Sequence, residues 1–514
     1  MLILISLASL ACNLSTSDSS TWRLATLRAM ERSAPPGSPQ PEDTEEFPFP
    51  TLPKSRFTPI PTRDPKLPIL TPTSSNGRIL PTLRTDQQEY TVQPNDTLAL
   101  ISRKYGIDLN TLVKINKLAD PNLLEIGQVL VIPPPVSKGT GPSFKVIPDS
   151  ELVFGPASAD FDLAGFIRKK NGYLSSFKEK VNDEMMSGAQ IVDRVAREFS
   201  VNPRLLLAVL EYQSKWVTQK NPGRETINYP VFEVDNLHQG LYLQLSWAAN
   251  NLNRGYYLWQ VNAISHWLLA DGVVLLPDTT INAGTAGVQY LMSQIYDLED
   301  WKIAVGKKGV FTTYQNLFGY PFDYTVDPLV PADLKQPPMQ LPFERGEIWS
   351  FTGGPHGGWG DGSGWAAIDF APPGDAFGCV ESDAWVTSVA KGVIIRSGHG
   401  VVVLDLDGDG FEQTDWTVLF LHIATRDRIP TGTIVKAGDR IGHPSCEGGV
   451  SNGTHVHLAR RYNGEWISAD GLLPFNLDGW ISAGTGTEYN GYLKRNGKTV
   501  EAWDSRKPEN QIQR

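Results

Sequence analysis

Four histidines and one aspartate between residues 356 and 457 have the types and spacing of a metal centre. His455-Val456-His457 is a His-x-His, and on an extended strand residues two apart face the same side. His422 closes the apolar run Leu419-Phe420-Leu421, His356 sits in GGPHGGWG, and Asp369 sits in AAIDFAP. Three neutral or anionic N/O ligands plus one open position for water make a catalytic zinc site. Six of the eight histidines of the chain fall between residues 336 and 486, which concentrates that chemistry in one region. A lone His-x-His is common, and the set of five residues carries the signal. His399 and His443 stand in Gly-rich turns (SGHG, IGHPSC) and receive no ligand role.

The elements that must hold these residues are strands. AWVTSVAKGVIIRSG, GVVVLDL, WTVLFLHI, GTIVKAGDRIG and THVHLARR are Val-rich runs separated by Gly or Asp, the pattern of an antiparallel β domain over residues 336–486. Asp405, Asp407 and Asp409 form the Asp-x-Asp-x-Asp-Gly start of a calcium loop. Trp416 stands where the bidentate Glu of such a loop belongs, so Glu412 or Asp415 would have to replace it. A hairpin turn served by Gly408 and Gly410 is the preferred reading, with Ca2+ as the alternative.

The set resembles the zinc peptidoglycan endopeptidases of the lysostaphin and β-lytic family. Most members begin the site with His-x-x-x-Asp, but here Trp365 precedes Asp369 by four. The β-lytic branch places its His upstream in a G-G-x-H turn, which matches Gly353-Gly354-Pro355-His356. Residues 438–467, GDRIGHPSCEGGVSNGTHVHLARRYNGEWI, match the family's final motif. The resemblance implies His356, Asp369 and His457 as ligands of one catalytic Zn2+. It leaves His455 and His422 as the catalytic pair in the cleft. His455 is the candidate base and His422 the oxyanion partner, and those roles can be exchanged. Cys379 and Cys446 flank the motifs, and in an exported protein such a pair is expected to form a disulfide.

Residues 146–335 read as all-α. Val192, Val195, Ala196 and Phe199 recur at helical spacing, and Asn202-Pro203 opens a helix with Leu206, Val209 and Leu210 inward. PRLLLAVLEYQS is similar to the catalytic helix of lysozyme-like lytic transglycosylases, in which a Glu precedes the Ser. Here Gln213 precedes Ser214, and Gln cannot act as acid and base. Glu211 lies two residues earlier, a helical rotation of about 200°, so it faces away from any cleft that Gln213 faces. A degenerate, glycan-holding or spacing domain is therefore expected. A transglycosylase acting through Glu211 is the rival, with Tyr256, Tyr257 and Trp259 able to stack on sugars or fill core.

Residues 89–134 order as strand, helix, helix, strand. Asn95-Asp96-Thr97 can cap a helix that carries Leu98, Ile101 and Tyr105 and ends at Gly106. YTVQPNDTLALISRKYG…LVKIN…IGQVLVIP resembles the LysM domain, whose members bind N-acetylglucosamine-containing glycans. That resemblance implies glycan contacts in two loops, at Asp96, Thr97 and Leu98 and at Asn122, Leu123 and Leu124.

Upstream, residues 1–12 (MLILISLASLAC) read as an export signal with a lipoprotein-like box at Cys12. Residues 13–88 read as a spacer, with 13 of the 38 prolines between Pro35 and Pro81. Residues 487–514 read as a C-terminal tail. Charge is 46 Lys+Arg against 56 Asp+Glu, net −10, which argues against a nucleic-acid partner. No later run is long enough for a transmembrane helix.

These readings add up to a multidomain α+β protein: a small βααβ LysM module, an all-α lysozyme-like domain and a C-terminal antiparallel β metallopeptidase domain. The expected protein is an exported bacterial cell-envelope monomer, extracellular or lipid-anchored at Cys12, that cuts peptide bonds in peptidoglycan cross-links or stems. A non-catalytic peptidoglycan-binding amidase activator is the alternative from another class.

Overall fold

The computed structural model describes residues 77–94, 96–235, 237–374 and 377–514. The expected export segment with Cys12 and most of the expected spacer lie outside the described residues.

The first module is built from β1 (Gln88–Thr91), α1 (Leu98–Tyr105), α2 (Leu109–Ile115) and β2 (Val129–Ile132). Thr97 caps α1 by accepting the Leu100 N–H, and Gly106 ends it at φ 63°. Asp108 caps α2 through the Thr111 N–H. β1 and β2 pair antiparallel, and Val92, Leu98, Ile101, Leu112, Leu130 and Ile132 close a small core of their own.

The middle of the chain is helical: α3 (Leu163–Lys170), α4 (Gly188–Phe199), α5 (Pro203–Ser214), α6 (Leu241–Gln260), α7 (Ala283–Ser293), α8 (Leu298–Ala304) and α9 (Thr312–Phe318). A Ser187/Gln190 capping box starts α4, and Pro203 at the first turn, under an Asn202 cap, starts α5. This region is not all-α. It also contains the hairpin β3 (Lys178–Val181)–β4 (Glu184–Ser187) and a three-stranded ladder of residues 137–140, 267–268 and 274–276. None of these short runs is long or regular enough to show a two-residue period against the helical background.

The C-terminal third is an antiparallel sheet. Its order is β10 (Ile434–Val435), β7 (Gly392–Gly398), β8 (Val401–Asp405), β9 (Trp416–Leu421), β11 (Val456–Tyr462), β6 (Ala367–Ala371), β5 (Ile348–His356) and β12 (Gln511–Gln513). The expected C-terminal tail is therefore built in: β12 pairs with β5 at the sheet edge, and residues 491–495 and 498–501 form part of a second, four-stranded sheet. Ile512, buried beside Trp349 and Phe351, gives that end of the chain its hold.

Side chains alternate across the main sheet with a period of two. Ile368, Phe370, Val402, Phe420, Val456 and Leu458 fill one core. Ala367, Val401, Val403, Leu419, Leu421 and Ala459 belong to the other, which they share with the helices. Helices and sheet thus have a common interior. Across it the Trp466 indole N–H donates to the Phe199 carbonyl (3.2 Å), and the Ser200 hydroxyl donates to the Gly464 carbonyl (2.6 Å). No helix among the described residues is long and apolar enough to cross a membrane.

Candidate metal centre

Asp369 and His457 are direct cross-strand partners on β6 and β11, so their side chains leave the sheet side by side. Both lie on the face that the helices cover. His356 ends β5, where the pairing to β6 slips between Phe351 and His356. Gly353 pairs with Asp369 and His356 with Ala367, so three residues on β5 span two on β6, a bulge that turns His356 toward the other two. Gly353 also makes room: a Cβ there would lie 2.5 Å from Asp369 Oδ2.

The three groups converge. His356 Nε2 is 3.0 Å from His457 Nδ1, and each is 3.3 Å from Asp369 Oδ1. The far nitrogens fix both tautomers. His356 Nδ1 donates to the Gly354 carbonyl (2.8 Å), and His457 Nε2 donates to the Gly358 carbonyl (3.1 Å). Two bare lone pairs therefore meet a carboxylate oxygen that is buried and has no hydrogen-bond partner. Three converging acceptors repel one another unless a cation lies between them. Tetrahedral zinc with bonds of about 2.0–2.2 Å separates its ligand atoms by roughly 3.3–3.6 Å, which two sides of the triangle meet and the third, at 3.0 Å, approaches. Burial opposes the charge on Asp369, but the adjacent imidazoles outweigh it and hold its carboxyl well below the usual range. Burial lowers His356 too, and the Asp369 charge more than reverses this, so the net shift is upward.

His455 and His422 complete a second pair beside the triangle. His455 Nδ1 donates to the Gly453 carbonyl (2.8 Å), which leaves Nε2 free at 3.8 Å from Asp369 Oδ2. The two rings lie 4.5 Å apart. His422, at φ 67° just after β9, donates from Nδ1 to the Glu447 carbonyl (2.9 Å). Burial, reinforced by His455 and His457, keeps it neutral, its pKa well below the ordinary value. Cys379 and Cys446 are joined by a disulfide. His443, buried, packs at a tilt against Trp385, and His399 faces Glu184 of the β3–β4 hairpin; neither joins the triangle.

Sequence reading missed Tyr489. Its ring stacks on His356 at 4.2 Å and 19°, and its backbone bonds to Gly354 and Pro355. It lies in the stretch read as a tail, and no spacing announces it. The carbonyls of Gly354 and Gly358 were legible in principle, since glycines flanking a ligand let backbone approach it closely.

Of the other expected sites, the acidic cluster converges within 4.8 Å as the preferred turn, and the rest do not assemble as read. The Asp405, Asp407 and Asp409 carboxylates make a turn: Asp405 accepts the Asp407 and Gly410 N–H groups, and Asp409 accepts Phe411 N–H and the Thr414 hydroxyl. Burial and Asp407 push Asp405 up to about 7. Glu412, the substitute calcium ligand, turns away into three arginines: Arg396 (2.8 Å), Arg461 (2.7 Å) and Arg197 (3.2 Å). Glu211 caps the chain after α5, accepting Val217 N–H, Thr218 N–H and the Thr218 hydroxyl, so both of its oxygens are engaged in holding that turn. Gln213 is buried and accepts from Tyr296. Tyr256, Tyr257 and Trp259 are core rather than sugar platforms. In the first module Leu98 is also core, 2% exposed, because it anchors α1. Thr97 is a cap, and Asp96 accepts from Tyr90 and Gln93. Asn122 and Leu123 are exposed, and Leu124 is half-buried.

A third group, Glu233, Asp235 and His238, also converges, and sequence reading did not single it out. Asp235 there turns the chain and pairs with His238 at 2.5 Å, which accounts for its geometry.

Comparison with known proteins agrees with this layout. Residues 90–133 match the LysM domain model, and residues 145–331 match the model of LasA, N-terminal domain. The helical region, likened in sequence to lytic transglycosylases, thus has its match in LasA. Protease LasA of Pseudomonas aeruginosa is 23% identical over 345 residues, covering 63% of this chain and 75% of that protein. The N-acetylmuramoyl-L-alanine amidase XlyA of Bacillus subtilis is 30% identical over 119 residues, covering 22% of this chain and 40% of that one. Among solved structures, the M23 metalloprotease pseudoalterin from the deep sea is 24% identical, with a TM-score of 0.27, over 34% of this chain and 97% of that one. The catalytic domain of lysostaphin from Staphylococcus simulans is 22% identical, with a TM-score of 0.18, over 24% and 87%. The chain thus carries matches to the LysM domain at residues 90–133 and to the LasA N-terminal domain at residues 145–331, and it is similar to Protease LasA over 63% of its length.

Proposed function

We propose that this protein is a zinc-dependent endopeptidase of the bacterial cell envelope that cuts peptide bonds in peptidoglycan. The observation that carries the reading is the buried triangle of His356 Nε2, His457 Nδ1 and Asp369 Oδ1, three ligand atoms that converge on one point. His356, His457 and Asp369 would hold a zinc ion, which when bound would supply a nucleophilic water at neutral pH and polarise the scissile carbonyl. His455, with Nε2 free beside the triangle, takes a proton from the nucleophile and passes it to the leaving amine. His422, kept neutral with its Nδ1–H given to the Glu447 carbonyl, presents a bare Nε2, so as placed here it is a second proton acceptor that can exchange roles with His455. Tyr489, stacked on His356, keeps that ring's Nε2 on target.

The LysM module holds the protein on glycan through its exposed Asn122–Leu123 loop and the backbone around Asp96. The disulfide suits an oxidising, exported setting. The proposed domain plan is a LysM module at 89–134, a helical domain at 146–335 and a peptidase domain from 336, with residues 487–514 included in it. An amidase activator is disfavoured because all three ligand residues are present, and a transglycosylase is disfavoured because Glu211 is spent on capping.

The test is mass spectrometry of purified peptidoglycan after digestion, with and without a zinc chelator. The expected products are new peptide amino termini that vanish with chelator and with His457→Ala. Anhydro-sugar ends that persist with chelator would move catalysis to the helical domain. Binding without any product would favour the activator.

A further inference from the structure

We infer that the helical layer is part of the metal centre: Asn250 and Arg254 of α6 position the loop whose Gly358 carbonyl orients ligand His457. The inference rests on the proposed centre at His356, Asp369 and His457 and adds a requirement to it.

His457 offers Nδ1 to the triangle only while its proton stays on Nε2 and its ring stays edge-on to the other two ligands. The Nε2–H···O=C bond to Gly358 does both (3.1 Å). Such outer partners of a ligating imidazole set tautomer, ring orientation and basicity.

Gly358 belongs to the stretch 357–364, GGWGDGSG, five of whose eight residues are glycine. Glycine loses more conformational freedom on ordering than any other residue, so this loop is weakly self-determined. Its internal ties are three: Gly358 N–H to the Gly364 carbonyl (3.0 Å), Trp359 N–H to the Ser363 hydroxyl (2.9 Å) and the Ser363 hydroxyl to the Gly360 carbonyl (3.3 Å). The stronger hold comes from the helix. Asn250 donates from Nδ2 to Asp361 Oδ1 (2.6 Å) and accepts the Gly362 N–H on Oδ1 (2.9 Å). Arg254, one turn further along the same face, meets Asp361 Oδ2 at 2.6 Å, with only 11% of the Asp361 side chain exposed. Gly362 lies so close to α6 that a Cβ there would fall 2.0 Å from the Asn250 carbonyl oxygen. A charge-assisted pair and a two-way amide clamp thus fix the tip of a glycine loop whose base carries the ligand's hydrogen-bond partner. A helix more than 100 residues upstream thereby acts on the geometry of a ligand it does not touch.

The experiment measures zinc affinity of the full chain by competition with a chromophoric chelator at neutral pH. The variants are Asn250→Ala, Arg254→Ala, their combination, and Asp361→Asn, which changes the loop side and leaves the helix intact. Gln260→Ala is the comparison, because Gln260 joins the same helix to Glu465 (2.9 Å) and not to this loop. The combined variant is expected to bind zinc about 10–100-fold more weakly, the usual consequence of losing an outer partner of a ligand. Asp361→Asn should fall between it and the parent, and Gln260→Ala should stay within about twofold. Parental affinity in the combined variant and in Asp361→Asn would overturn the inference. So would an equal loss in Gln260→Ala, which would mean general loosening of helix from sheet. Should the combined variant fail to fold, Asp361→Asn decides alone. Failure of the underlying function reads differently: the unmodified chain would then take up no zinc that His457→Ala removes.

Discussion

Replacing Glu412 with Gln should loosen the hold of the helices on the sheet about as much as a large apolar truncation in the core. Glu412 is buried, with 1% of its side chain exposed, and accepts four hydrogen bonds: two from Arg396 (2.8 and 3.1 Å), one from Arg461 (2.7 Å) and one from Arg197 (3.2 Å). Arg396 and Arg461 come from the sheet and Arg197 from α4, so one carboxylate ties the two layers. Gln keeps the shape and removes the charge. Arg461, also 1% exposed, is then left buried without its counter-ion. Breaking a buried pair from one side costs about 3–5 kcal/mol.

The pH dependence follows from the sign of the shift. Burial raises the Glu412 pKa, but the three guanidinium groups win and hold it far below 4.5. A depressed carboxyl contributes stability that is fully present above its unfolded value of 4.5 and is lost as pH falls through the folded value. The gap between parent and variant should therefore be widest at neutral pH and should close on acidification below about 4.5. The assay is thermal unfolding followed by circular dichroism from pH 3 to 8. At neutral pH Tm should fall by several degrees, since about 1 kcal/mol moves a domain of 150–250 residues by roughly 2–4 °C and a longer unit by less. A Tm within 1 °C of the parent at neutral pH, or a gap that widens toward acid, would refute the reasoning.

Three further outcomes are expected. Glu465 accepts from Tyr256 (3.0 Å) and Gln260 (2.9 Å), and burial pushes its carboxyl up to about 7; Glu465→Gln should match the parent at pH 4–5 and exceed its stability above pH 7, where the parent must ionise that group, and equal effects at both ends would sink the idea. Glu211→Ala should lower stability by about 1–3 kcal/mol, through the unpaired Val217 and Thr218 N–H groups, while chelator-sensitive digestion of peptidoglycan persists; loss of digestion in folded protein would return Glu211 to the active site. Cys379→Ser with Cys446→Ser opens a loop of 67 residues, worth up to about 4 kcal/mol on chain-entropy grounds, so Tm should drop, and an unchanged Tm would show that the loop is held by its other contacts.

The sequence by itself determined the elements and the chemical inventory. The β-strand carrying His457, the caps at Thr97, Asp108 and Asn202, and the helix starting at Pro203 are local events, set by period, capping and turn residues within a few positions of each other. The five metal-site residues were legible for the same reason: each stands in its own short motif. Only tertiary structure decided what depends on residues far apart. The bulge in β5 that turns His356 inward exists because β5 pairs with β6. Tyr489 meets His356 because residues 491–501 fold back as a second sheet instead of trailing off as a tail. Glu412 chose three arginines over the acidic turn because those arginines are brought to it by two strands and a helix, and a buried charge goes where partners are densest. The helical region's apolar faces showed in its sequence, but that they close over the metal-bearing face of the sheet did not, since hydrophobic burial has no direction and any apolar surface of matching shape would satisfy it.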